Sequence, residues 1–155
     1  MKALRIWIIL SWTALPIAMF GGASLLRRFV SLDGGPTPFQ AEWLRAGHAH
    51  GNILIVTSFL YYTFLDQTSL SASVKNFASG LLFSGILAQS GGFFLHAILG
   101  QPQHPSIGTA VTLGGAFLLA TAVIVLVYGL MTLRPASAAA ELSVPVREEH
   151  PASLR

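Results

Sequence analysis

Four of the five histidines in this 155-residue chain stand at the ends of long apolar segments. His48 and His50 open the second segment, His96 lies near the end of the third, and His104 follows in the short connection beyond it. Imidazole is a ligand for copper, zinc and haem iron, and it exchanges protons near neutral pH. Ionisable groups are expensive inside a bilayer, so those found there are usually paired, buried against protein or functional. If successive segments alternate in direction across a membrane, all four rings reach one rim. The pattern points to a metal, haem or proton site with His48, His50, His96 and His104 as candidate ligands and copper, zinc or haem as candidate cofactors. The plainer alternative is a set of half-wet interfacial histidines whose nitrogens bond water or nearby carbonyls. His150 lies in the polar tail and is expected to be solvated.

The rest of the chemistry-bearing inventory is sparse. There is no cysteine, which excludes disulfides, thiolate ligands and cysteine nucleophiles. Outside the tail the acids are Asp33, Glu42 and Asp66, too few to suit magnesium or calcium. No nucleophile elbow, phosphate loop or metalloprotease motif occurs, so no residue is assigned a catalytic role. Asp33 and Glu42 fall in the connection before the second segment. Their simplest role is solvated, with Glu42 pairing Arg45 or Arg28; orienting an imidazole is the alternative.

The elements that must position these rings follow from composition. The chain is 53% hydrophobic and 10% charged, against roughly 25% charged in soluble domains. Residues 47–65, 77–100 and 107–133 contain no Lys, Arg, Asp or Glu, and residues 1–26 are interrupted only by Lys2 and Arg5. Each run matches or exceeds the roughly 18–20 residues that cross a hydrocarbon core of about 30 Å. The expectation is an all-α, four-helix transmembrane bundle over residues 1–133, with helices near 4–26, 47–65, 77–99 and 107–133. A disordered tail over 134–155, rich in Ala, Ser, Pro and Glu, would follow. The first run is longer than a signal-peptide core and ends in Arg27-Arg28, so it is taken as a retained helix. Pro16 sits in its middle, which membrane helices tolerate.

Orientation follows from Lys and Arg in the flanks. With four spans, one side carries Lys2, Arg5, Lys75, Arg134, Arg147 and Arg155, and the other only Arg27, Arg28 and Arg45. This bias places both termini in the cytoplasm, in a plasma membrane. The net charge of +3 then concerns orientation and anionic lipid, and nucleic acid is not an expected partner. The partners expected are the bilayer itself and a second copy or a larger membrane complex. Loop 27–46 is the one long connection, turn-rich from Ser31 to Pro38, with Phe39 and Trp43 suited to the membrane interface. The stretch from Gly100 to Pro105 is tight enough to make the third and fourth helices antiparallel neighbours.

Helical spacing decides which side chains meet. Gly85, Gln89, Gly92 and His96 form one stripe on the third segment, and Gly108, Thr112, Gly115 and Ala122 form a small-residue face on the fourth. Such faces let helices approach closely, so Gln89 and His96 are expected to face protein. On the second segment Arg45, His48 and Asn52 share one face while His50, Thr57 and Tyr61 share another. Residues i and i+2 are about 200° apart in a regular helix. His48 and His50 can therefore ligate one ion only if the chain is unwound around Gly47 and Gly51.

The run from Leu32 to His50, LDGGPTPFQAEWLRAGHAH, together with Gln89-Ser90-Gly91-Gly92-Phe93-Phe94 and His96, resembles small four-span bacterial integral membrane proteins of no assigned activity. That resemblance implies a fold alone. The His48-Ala49-His50 element is also similar to segments of haem–copper oxidase subunit I and of nitric-oxide-response membrane proteins. It is short, and this chain has far fewer helices than those proteins, so none of their ligand assignments is carried over. Three functional expectations follow: a histidine-lined metal or haem site at the outer rim, a structural or accessory subunit without cofactor, and a small transporter or channel. The last is weakened by the absence of an intramembrane acid.

Overall fold

The computed structural model describes residues 4–31 and 34–133, and within them the chain is a bundle of four helices. These are α1 (Arg5–Phe29), α2 (Pro38–Gln67), α3 (Ala72–Leu99) and α4 (Ile107–Met131). The tail expected over 134–155, His150 and Asp33 lie outside the described residues. α1, α3 and α4 are each long and apolar enough to cross a membrane. Only 6% of the most apolar stretch of α1 and 11% of that of α4 is buried, against 39% for α3. α3 is therefore the central helix. α1 and α4 turn large apolar side chains outward, such as Ile17, Phe20, Phe117 and Ile124, as a lipid-facing helix does and a water-facing one does not.

The start of α2 differs from the sequence expectation. Pro36-Thr37-Pro38 reads as a turn, yet the helix begins at Pro38, nine residues before the uncharged run. The Thr37 hydroxyl accepts from Gln40 N–H, and the Gln40 side chain accepts from Thr37 N–H. This is a capping box, and Pro38 fits the first helical position because it has no N–H to satisfy. Residues 38–46, expected as part of the 27–46 connection, instead extend α2 by more than two turns. At 30 residues, α2 is about 45 Å long by its rise.

Other ends are closed by similar local chemistry. Ser71 caps α3 by accepting from Val74 N–H, and Ser106 with Thr109 forms the capping box of α4. Lys75 Nζ donates to the carbonyls of Asp66 and Thr68 at 2.7 and 2.8 Å, satisfying acceptors at the end of α2. The α3–α4 connection turns at Gln103, whose φ of 63° is left-handed, and Gln101 bridges to His104.

The core lies toward the end of the bundle remote from the histidines. Leu4, Ile55, Tyr61, Tyr62, Leu65, Ala78, Leu82, Ile86 and Ala122 are buried there. Three hydroxyls tie α1 to α2: Ser58 Oγ is 3.1 Å from Ser11 Oγ, itself 3.3 Å from the Tyr62 hydroxyl. Tyr61 donates across the bundle to the Ala122 carbonyl at 2.8 Å, and Trp7 Nε1 donates to Asn76 Oδ1 at 2.7 Å. α1 is thus fastened by its first half. As a whole α1 packs mainly on α2 and touches α3 only lightly.

Candidate functional site

A continuous helix disperses the histidines. α2 is regular through Gly47 and Gly51, so the unwinding that would bring His48 and His50 together does not occur. The two glycines serve packing instead: Gly47 lies against Ser90, Phe93 and Phe94, and Gly51 against Ser90. His48 points to α1, its Cε1–Nε2 edge filling the notch left by Gly22. Asn52 Nδ2 donates to the His48 carbonyl at 2.9 Å and lies 3.1 Å from both ring nitrogens. His50 is exposed, its Nδ1 2.9 Å from the Ala46 carbonyl and its ring 4.8 Å from that of Phe93. Arg45 extends over the Phe29 ring at 5.2 Å.

His96 is the buried member. The Gly85–Gln89–Gly92–His96 stripe meets α4: Gly92 lies against Thr112 and Gly108, and Gly115 against the Gln89 backbone. His96 Nδ1 is 2.7 Å from Ser106 Oγ and 3.3 Å from Thr109 Oγ1. Its ring stands edge-on to Trp43 at 4.3 Å and to Phe39 at 5.3 Å. The two aromatics assigned to the membrane interface therefore wall in the imidazole. His104 is exposed in the loop.

The four histidines do not gather into a single ligand set. Among the described residues no three His, Asp or Glu side chains stand together as a metal ion would require. Instead three of them divide between two cavities. One, of about 480 Å³, sits at the rim and is lined by Phe39, Glu42, Trp43, His96, His104 and Thr109 among others. The other, of about 660 Å³, is a cleft between α1, α2 and α3 that includes His48. His50 borders neither cavity.

The cleft has a polar end and an apolar end. Arg28, Ser24 and His48 lie toward one end, and Ala14, Ile17, Ile55 and Ile86 toward the other. Its floor is made of buried Gly51, Ile55, Ile86 and Ser90, while exposed Ile17 and Leu87 flank its mouth. Ser90 is 8% exposed, and its Oγ is buried without a hydrogen-bond partner among the described residues. Sequence reasoning followed ionisable side chains, so it passed over Ser90 and this side of α1, and it used Arg28 only for orientation and as a partner for Glu42. The available signal was a serine flanked by Gly91-Gly92 in an otherwise apolar helix.

No protein-family model matches this chain, and no curated protein or solved structure is significantly similar to it.

Proposed function

We propose that this chain is a four-span protein of the plasma membrane, both termini cytoplasmic, that holds a membrane-dissolved amphiphile in the α1–α2–α3 cleft. Three helices have the length and apolarity to cross, and α2 packs along both α1 and α3. A 45 Å helix wedged between two crossing helices has to cross with them, which leaves its capped first turns beyond the hydrocarbon. The Lys and Arg bias supports the cytoplasmic termini. Reporter fusions at Ser71 and at the C-terminus should both report cytoplasm; a periplasmic signal at either overturns the orientation.

The observation that carries the ligand reading is the lining of the cleft. Its polar groups lie at one end and its hydrocarbon wall runs inward from them, the same division an amphiphile has. Gly91 offers a test because a side chain added there meets no heavy atom within 4 Å. Gly91→Leu should fill the cleft without displacing backbone. Protein purified in mild detergent should carry an amphiphile identifiable by mass spectrometry, and Gly91→Leu should lose it. Equal yields from both proteins, or none from either, overturn the reading in favour of an accessory subunit of a larger complex.

A rim metal site is the second reading, favoured by His96, His104 and Glu42 lining one cavity. Ser106 on His96 Nδ1 is the kind of partner that orients a ligating imidazole and leaves Nε2 for the metal. Copper or zinc would suit those side chains, which would first have to close on the ion, since they do not stand together among the described residues. Stoichiometric metal that is lost in His96→Ala would support it. Metal retained in His96→Ala would remove it. Haem suits the geometry less well, because the one imidazole in the cleft abuts Gly22 with its Nε2 edge.

A further inference from the structure

Resting on the amphiphile reading above, we infer that the occupant of the cleft is an anionic phospholipid. Its phosphate sits on Arg28 and one acyl chain runs inward along α1. Arg28 borders two cavities at once. One is the cleft; the other, of about 320 Å³, lies at the rim where the end of α1 meets the start of α2. Arg28 is exposed and makes no hydrogen bond or ion pair among the described residues. No described acid lines either cavity: Glu42 borders the rim cavity beside His96, and Asp66 lies at the other end of α2. A guanidinium in that setting calls for an anion, and its planar fork matches a phosphate.

Length selects the tail. The cleft follows one face of α1, through Leu25, Gly21, Ala18, Ile17 and Ala14, at the three- and four-residue spacing of a helix face. Arg5 and Arg28 stand about 35 Å apart by helical rise. They bracket a hydrocarbon core of about 30 Å, which puts Arg28 at headgroup level. From Arg28 down to Ala14 the rise is about 21 Å, just past the bilayer midplane. That is one leaflet deep, the reach of an acyl chain hanging from a phosphate at Arg28. Gly21 and Gly91 leave room for it, since side chains added there would meet nothing within 4 Å. The second cavity selects the head. A fatty acid ends at its carboxylate, whereas a phospholipid carries a polar group beyond its phosphate. The space past Arg28, lined by Ser31, Gly35 and Gln40 among others, suits such a group.

The test uses the full-length protein in mild detergent. Phosphatidylglycerol, phosphatidylcholine with the same acyl chains, and oleate serve as probes in separate equilibrium-binding titrations. Phosphatidylglycerol should bind several-fold more tightly than either of the others. Arg28→Gln should weaken its binding roughly tenfold, the loss of one charge-assisted contact. Arg27→Gln, one residue away and bordering neither cavity, should leave it unchanged. Gly91→Leu should abolish binding of every probe. Thermal unfolding of the three variants confirms that they fold. Phosphatidylglycerol binding unchanged in Arg28→Gln, or weakened equally by Arg27→Gln, overturns the inference, as does phosphatidylcholine or oleate binding as tightly as phosphatidylglycerol. In those cases loss of the bound probe in Gly91→Leu leaves the amphiphile reading intact. Binding of no probe, with no amphiphile co-purifying, ends both.

Discussion

Glycine is used in opposite ways on the two faces of α3. On the α4 side, Gly92, Gly108 and Gly115 are pressed against the backbone of the facing helix, and a side chain at any of them would strike main-chain atoms. On the α1 side, Gly91 and Gly21 face open space. In a bilayer, helices gain nothing from leaving lipid for one another's apolar surface, so close backbone packing drives association. The α3–α4 seam has that packing. The α1–α3 cleft forgoes it along half of α1, and α1 is held by Ser11, Ser58, Tyr62 and Trp7 at its other half. A bundle that needed only stability would close this side as it closes the other.

The largest expected effect breaks the seam. Gly115→Leu or Gly92→Leu must push α3 and α4 apart, and should cost about 3 kcal/mol or more of stability, within the range for overpacking a well-fitted contact. Thermal unfolding in detergent reads this directly. Gly91→Leu, one residue from Gly92 but on the other face, should leave the same transition nearly unmoved. Equal losses at Gly91 and Gly92 would mean that the two faces do not differ.

The seam was legible from the sequence, and the cleft was not. A small-residue stripe on α3 and its counterpart on α4 announce themselves by period, and the short Gly100–Pro105 connection forces those helices together. The cleft depends on how far α1 splays from α3, which no local pattern records. The histidines illustrate the same limit. Their shared rim could be read from segment direction, but whether they converge depends on rotation about each helix axis. The regular α2 sends His48 toward Gly22 and His50 toward Phe93, while Trp43 and Phe39 occupy the space beside His96. The early start of α2 was legible in principle, since Thr37-Pro38-Phe39-Gln40 is a capping box with proline at its first helical position, but it lies among turn formers.

Intermediate effects test the ties between the two regions. Tyr61→Phe removes the bond to the Ala122 carbonyl, the longest-range hydrogen bond linking α2 to α4, and should cost about 1.5 kcal/mol. Thr37→Ala opens the α2 capping box and should cost about 1 kcal/mol. Because α2 supplies one wall of the rim cavity through Phe39, Glu42 and Trp43, this change should also raise hydrogen exchange in residues 38–43. If unfolding moves with no change in exchange there, the capped turn is not what orders the rim.

The smallest effect has the opposite sign, which makes it the sharpest comparison. Ser58 and Ser90 are both buried serines, but Ser58 donates to the Ile55 carbonyl at 2.6 Å and meets Ser11, whereas Ser90 Oγ has no partner among the described residues. Replacing a satisfied buried hydroxyl removes a bond and strands its partner; replacing an unsatisfied one removes a desolvation cost. Ser58→Ala should therefore lower stability by about 1 kcal/mol. In protein stripped of bound amphiphile, Ser90→Ala should raise it by about 0.5 kcal/mol, a fraction of the cost of an unmade hydrogen bond. Ser90→Ala destabilising the stripped protein as much as Ser58→Ala would show that Ser90 is bonded within the bundle.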